Sequence, residues 1–373
     1  MAKTIHLIAA ARPNFMKVAP LYHALDKVRD WADPVIVHTG QHYDPNMSDA
    51  FFADLRLPAP HVNLEIGSGS HAEQTGGVMI AYEKLCLARA PDWVVVVGDV
   101  NSTLACALVA KKLCLPLAHL EAGLRSRDRT MPEEINRIVT DAIADLLWTP
   151  SPDADENLRG EGVQAERIER VGNIMIDSYE LVRDRIEADP TPDRLGLRAG
   201  EFGVVTLHRP ANVDDPAILS RIVGELSLVS HSLRLVFAVH PRTRKRLEEF
   251  GLLPRITECP GITIIEPLGY INFMALVRKA RLVITDSGGV QEETTYLDIP
   301  CLTLRDTTER PITLTQGTNR LIAPNALATS VASALAGDWP HGRRPALWDG
   351  RTAERVAASL RRHTAREVGV ARN

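Results

Sequence analysis

The sequence predicts an α/β protein of two doubly wound parallel sheets, and three observations lead there. Short runs rich in Val and Ile, without polar alternation, recur along the chain, as expected for strands covered on both faces. Segments of helical periodicity separate them. The series occurs twice, before residue 150 and again after Phe202, in a chain whose 373 residues suit about two to three domains.

In the first half, strands are expected over 4–11, 34–39, 93–98, 116–120 and 146–149, with helices over 15–29, 72–89, 102–114 and 133–145. The segment 4–11 is short for a signal core and runs into Arg12-Pro13-Asn14, so it reads as the first strand. In the second half, strands are expected over 203–207, 234–239, 262–265, 281–285 and 300–304, and helices over 216–230, 270–280, 289–297 and 326–336. The join falls near Val171-Gly172-Asn173, which gives domains 1–172 and 173–350. A last helix opens the segment 351–373, with Ala353, Val356, Ala357 and Leu360 on one face, and could join either domain.

Composition narrows the function. Apolar residues make up 45% and charged residues 24%, an ordinary soluble balance. Lys plus Arg, 43, against Asp plus Glu, 47, leaves a net charge of −4, so no basic excess points to nucleic acid or a lipid surface. No apolar run approaches the roughly 18 residues of a membrane span. Five scattered cysteines, odd in number and without a CxxC pair, read as reduced thiols of a cytoplasmic protein. No HExxH, Cys/His cluster or Asp-rich loop suggests a metal. The loop Ala10-Ala11-Arg12-Pro13-Asn14 lacks the glycines of a dinucleotide fingerprint, which weighs against NAD, and no Walker A run is present; no cofactor is expected.

The chemistry-bearing residues gather where strands end. Thr285-Asp286-Ser287-Gly288-Gly289 leads from a strand into a helix, so Ser287, Gly288 and Gly289 can bring backbone N–H groups to an anion. Glu293, one turn inside, can reach the hydroxyls of a ribose. Arg305 and Arg310 follow the next strand and suit bidentate bonding to a diphosphate, although an exposed salt-bridged loop would look the same. His208 and Arg209 end the strand before Asn212; a lone His there would more often be structural. In the first half, Asp99 and Glu121 end neighbouring strands, with helix capping for Asp99 and a bridge from Glu121 to Arg125 as the plainer alternatives. Thr130 and Glu133 have capping-box spacing, which by pattern alone makes Glu133 a cap. Arg12 and Lys17 flank the first helix and could offer positive charge.

Taken together these segments resemble the non-hydrolysing UDP-N-acetylglucosamine 2-epimerases, nearly end to end and in the same order. The resemblance runs through Ala11-Arg12-Pro13-Asn14-Phe15-Met16-Lys17, Gly40-Gln41-His42-Tyr43, Gly98-Asp99, His119-Leu120-Glu121-Ala122-Gly123-Leu124-Arg125 and Pro132-Glu133-Glu134-Ile135-Asn136-Arg137. It continues with Val171-Gly172-Asn173, His208-Arg209, Asp286-Ser287-Gly288-Gly289 and Arg305-Asp306-Thr307-Thr308-Glu309-Arg310-Pro311. It implies the GT-B architecture, with an active site in the cleft between two Rossmann-like domains. It also implies reversible conversion of UDP-GlcNAc to UDP-ManNAc through loss and re-addition of UDP, supplying ManNAc units for surface polysaccharide.

Carried over by position, the resemblance makes Asp99, Glu121, Glu133 and His208 catalytic. It places Arg12, Lys17, Arg209, Phe273, Ser287, Gly288, Gly289, Glu293 and Arg310 around the substrate, Phe273 beside the uracil. Gln41, His42 and His240 match an activator site for UDP-GlcNAc, or else simply cap a loop and a strand end. A homodimer is implied. A UDP-sugar glycosyltransferase shares this fold and nucleotide site, and a non-catalytic UDP-sugar sensor is the alternative of another class; the intact carboxylates favour the epimerase.

Overall fold

The structure, a computed structural model, describes residues 2–10, 12–40, 52 and 54–370, with side chains except at 12, 13 and 366–370. The chain divides into two compact units, Met1–Leu181 together with Ala346–Asn373, and Val182–Pro345.

The first unit holds a parallel sheet of strands β1 (Lys3–Ala9), β2 (Ala32–His38), β3 (Val62–Asn63), β4 (Trp93–Val97), β5 (Leu117–Leu120), β6 (Leu146–Thr149) and β7 (Ile168–Arg170). Their order is β3-β2-β1-β4-β5-β6-β7. Every residue of β4 is buried, the reason its five apolar residues show no alternation. The strand order reverses between β1 and β4, and at such a point the loops from the carboxyl ends of the strands open a crevice for ligands. There the helix Arg12–Asp26 follows β1, and the loops that leave β4 and β5 carry residues 98–100 and 121–127.

The second unit repeats the plan with β8 (Phe202–Thr206), β9 (Arg234–Ala238), β10 (Ile262–Ile265), β11 (Leu282–Thr285), β12 (Cys301–Thr303) and β13 (Asn319–Leu321), in the order β10-β9-β8-β11-β12-β13. Its switch point lies between β8 and β11, which sets His208, Asp286 and the 304–310 loop at one sheet edge.

The first unit runs past residue 172, because the helix Ile174–Leu181 is tied back to it: Ser178 Oγ donates to the Met16 carbonyl. The chain then returns at Ala346, and the helix Thr352–Val370 packs on this unit. Trp148 Nε1 donates to Ser359 Oγ at 3.0 Å, buried Trp348 donates to the Pro150 carbonyl at 3.0 Å, and Asp177 accepts from the Ala353 N–H at 2.7 Å. Gly172, at φ +99°, sits against the Leu347 carbonyl where a Cβ would overlap it, so this crossing admits only glycine. All five cysteines are free, and three of them, Cys86, Cys106 and Cys301, are buried. No described helix is long and apolar enough to cross a membrane.

Candidate active site

Glu121 follows β5 in a left-handed backbone conformation, φ +72°, and is buried. A non-glycine residue is held there only when its surroundings over-determine it. Its carboxylate forms an ion pair with Lys17 Nζ, from the first helix, Arg12–Asp26; both side chains are nearly enclosed, at 12% and 3% exposure. Gly98, at φ +69°, lies under this pair: a Cβ there would stand 3.2 Å from Lys17 Nζ and 3.4 Å from Glu121 Oε2. Asn14 completes the floor by donating to the Val97 carbonyl at 2.9 Å. The bridge from Glu121 to Arg125 considered from the sequence is not formed. Arg125 instead pairs with Asp141 at 2.7 Å and with Glu161 at 2.6 Å.

Asp99, about one-third exposed, stands 3.5 Å from Arg137 Nη2, while Asn136 Nδ2 donates to its carbonyl at 2.8 Å. It does not cap a helix: Val100 is the cap of Asn101–Lys112. Glu133 is exposed in the first turn of the helix Pro132–Ile143. The capping box suggested by Thr130 is not formed, because the Thr130 hydroxyl donates to Asp128 at 2.6 Å and Met131 takes the cap position. Glu133 is thereby left facing solvent, while its neighbour Glu134 turns inward. Arg12 opens the first helix, and Gln41 and His42 lie outside the described residues.

In the second unit Asp286 organises the sheet edge. Wholly buried, it accepts from the backbone N–H groups of His208 and Arg209 at 3.0 and 2.9 Å and from Asn212 at 3.1 Å, and its Oδ1 is 2.8 Å from His208 Nδ1. Burial alone would raise its pKa, but these partners, His208 first, hold the carboxyl below the usual carboxylate range. His208 is thereby fixed in orientation with 40% of its side chain exposed, and Arg209 Nε donates to the Asp286 carbonyl at 3.0 Å. His240 lies 5.6 Å from His208, ring to ring, and its Nδ1 accepts from Arg242 N–H at 3.2 Å, so it caps the helix Pro241–Glu249.

The helix Gly288–Leu297 begins beside this carboxylate. A Cβ on residue 288 would fall 2.6 Å from Arg310 Nη1, so glycine there lets the guanidinium lie against the helix N-terminus; Gly289 faces open space. Arg310 Nε is 2.9 Å from Glu292 Oε1, and Arg305 reaches Glu309 at 2.8 Å, so the two arginines are anchored by buried carboxylates. Thr308 Oγ1 donates to Gln291 at 2.7 Å and accepts from the Arg310 N–H at 3.1 Å, which pins the loop. Ser287 and Phe273 are half-buried, Phe273 in the helix Tyr270–Lys279.

Glu293 is buried, with no hydrogen bond to its Oε1. Burial pushes its carboxyl up to about 8, with a hydrogen bond from Tyr270 opposing and Glu292 adding to the shift. A buried carboxylate oxygen without a donor is a place for a ligand hydroxyl.

The sequence alone gives no site role to Asn14, Asn136, Asp141 or Glu292, and reads Asn212 as a helix start, whereas it lies inside the helix Pro210–Val213 and bonds Asp286. The available signal was slight: Asp141 is separated from Glu134 by seven positions, and so shares a helix face with it.

A family model described as UDP-N-acetylglucosamine 2-epimerase matches residues 24–361. The UDP-N-acetylglucosamine 2-epimerase of Methanocaldococcus jannaschii is 42% identical, over 95% of this chain and 98% of its own. The UDP-2,3-diacetamido-2,3-dideoxy-D-glucuronate 2-epimerase of Pseudomonas aeruginosa is also 42% identical, over 84% of this chain and 87% of its own. The crystal structure of the M. jannaschii enzyme in complex with UDP-GlcNAc and UDP matches with a TM-score of 0.86 at 41% identity, covering 96% of this chain and 99% of that one. With glycines, carboxylates and arginines of the sequence motifs set at the switch points of two such sheets, this chain belongs to the UDP-N-acetylglucosamine 2-epimerase family of isomerases.

Proposed function

We propose that this chain interconverts UDP-GlcNAc and UDP-ManNAc by inverting C2 of the sugar. The observation that carries the reading is the enclosed Lys17–Glu121 pair beside Gly98-Asp99, in a chain so similar along its length to a UDP-GlcNAc 2-epimerase. The C2 hydrogen is not adjacent to a carbonyl, so simple deprotonation is too slow. A carboxylate instead takes the C2 proton while the C1–O bond to UDP breaks; the C2–H electrons become the C1=C2 double bond and UDP leaves with the C–O pair. A proton then reaches C2 from the other face as a UDP oxygen re-forms the bond at C1. No redox cofactor is consumed.

This route needs carboxylates for the sugar and a clamp for the departing diphosphate. Asp99, Glu121 and Glu133 are the carboxylates, with Lys17 and Arg12 supplying positive charge. Ser287, Gly288, Gly289, Arg310 and Arg209 hold the diphosphate, His208 donates to it, Glu293 accepts from the ribose and Phe273 lies along the uracil. The product serves surface polysaccharide synthesis in the cytoplasm. We also propose a homodimer, as the resemblance implies.

UDP-GlcNAc acts further as an activator at Gln41, His42 and His240. A lag from pure UDP-ManNAc, abolished by a trace of UDP-GlcNAc, is the expected sign; full initial velocity without it removes the activator site.

A second reading follows from the relative that acts on the diacetamido glucuronate: the same C2 chemistry on a sugar bearing a second acetamido group and a carboxylate. Incubating the protein with each UDP-sugar alone, without an acceptor, decides. The first reading predicts UDP-ManNAc from UDP-GlcNAc; turnover of the glucuronate alone establishes the second, and no change in either overturns both.

A further inference from the structure

The helix Pro132–Ile143 is built inside out. Its apolar Ile135 is 42% exposed, while Glu134, Asn136, Arg137, Thr140 and Asp141 are buried. Burying charged groups costs several kcal/mol unless each is paired, and here Glu134, Asn136, Arg137 and Asp141 each reach one of two loops. Glu134 accepts from the Ser126 and Arg127 N–H groups at 3.0 and 2.9 Å, and Asp141 accepts from the Gly123 N–H at 3.0 Å and from Arg125 at 2.7 Å. These bonds fix the turn that holds Glu121 at positive φ. Asn136 and Arg137 hold Asp99, through its carbonyl and its carboxylate.

His119 links the two loops. Its Nδ1 is 2.6 Å from Asp141 Oδ1 and its Nε2 is 2.8 Å from the Gly98 carbonyl, with the ring fully buried. Both partners are acceptors, so both bonds require a proton on each ring nitrogen, and Asp141 is the neighbouring countercharge. Burial alone would raise the Asp141 carboxyl, but His119 and then Arg125 keep it below the ordinary carboxylate range.

We propose that Asp141 is a positioning residue that, through His119, fixes the distance between the carboxylates of Asp99 and Glu121. It touches no substrate. The inference rests on the C2-epimerase reading, since only a reaction that uses both carboxylates needs their spacing fixed.

The test is Asp141→Asn, with Asn136→Ala as a second variant that frees only the Asp99 loop. Asp141→Asn should lower kcat at least tenfold with UDP affinity within twofold. It should also change, by at least threefold, the ratio of C2 deuterium appearing in recovered UDP-GlcNAc to UDP-ManNAc formed in D2O. Loss of folded protein lowers both quantities together and leaves their ratio fixed. Two exchange-protected His119 ring N–H resonances in the parent should fall to one or none in Asp141→Asn. Amide hydrogen exchange should quicken over 98–101 and 121–127 in Asp141→Asn, and over 98–101 alone in Asn136→Ala. An unchanged ratio, or unchanged exchange in both loops, overturns the proposal. A parent protein inactive on UDP-GlcNAc overturns the functional reading instead, and the resonances and amide exchange still decide whether Asp141 positions the loops.

Discussion

Gly288 and Arg310 approach so closely that a Cβ on residue 288 would lie 2.6 Å from Arg310 Nη1 and 2.7 Å from Glu309 Oε1. The guanidinium thus occupies the space that any other residue would take, beside the N-terminus of the helix Gly288–Leu297. In the proposed reading, this helix N-terminus and this charged fork act together as the diphosphate clamp.

Gly288→Ala should therefore displace Arg310 and weaken UDP binding. A charged hydrogen bond of this kind is worth about 1.5–3 kcal/mol, or roughly ten- to 150-fold in Kd. Titration calorimetry with UDP measures it; a Kd within twofold of the parent would place the clamp elsewhere.

Lys17 and Glu121 are 104 positions apart in sequence yet form an enclosed ion pair. Lys17→Ala removes one partner of this enclosed pair, a change that costs about 3–5 kcal/mol when the pair is buried. The thermal midpoint should fall, and the double variant Lys17→Ala/Glu121→Gln should recover much of it while epimerisation stays at least a hundredfold down. Additive midpoints in the cycle would show that the two residues are not coupled.

The plan of the fold was legible where burial is complete. β4 and the buried strands of both sheets are runs of apolar residues, and their sequence signal is the burial itself. The strands passed over, Val62–Asn63, Ile168–Arg170 and Asn319–Leu321, lie at sheet edges, where short, partly polar strands carry no apolar run. The helix Pro132–Ile143 shows helical spacing in sequence, but not that its polar side faces inward. The site was legible as a set of residues at strand ends. Its pairings were not: Glu121 takes Lys17 rather than nearby Arg125, and Arg310 takes Glu292 as well as its neighbour Glu309. Local spacing fixes a side chain's face, whereas the partner it meets comes from sheet order.

The Glu293 carboxyl, raised from 4.5 to about 8, gives a pH dependence of known sign. The folded protein keeps a proton that the unfolded chain has lost, so this contribution to stability is whole below pH 4.5 and is lost as pH rises through about 8, at about 1.4 kcal/mol per pH unit. Glu293→Gln keeps the shape without the charge, so its thermal midpoint should gain on that of the parent between pH 5 and 8. Parallel midpoint curves would contradict the burial argument. The same variant should bind UDP at least tenfold more weakly above pH 8, where the parent offers a carboxylate to the ribose.

In the proposed reaction the C2 proton leaves the sugar and another returns from solvent while UDP departs and comes back. Proton NMR of UDP-GlcNAc with the protein in D2O, without added NAD, reads this directly. UDP-ManNAc should carry deuterium at C2 from the first turnovers, and UDP-ManNAc that retains its C2 hydrogen would exclude this route.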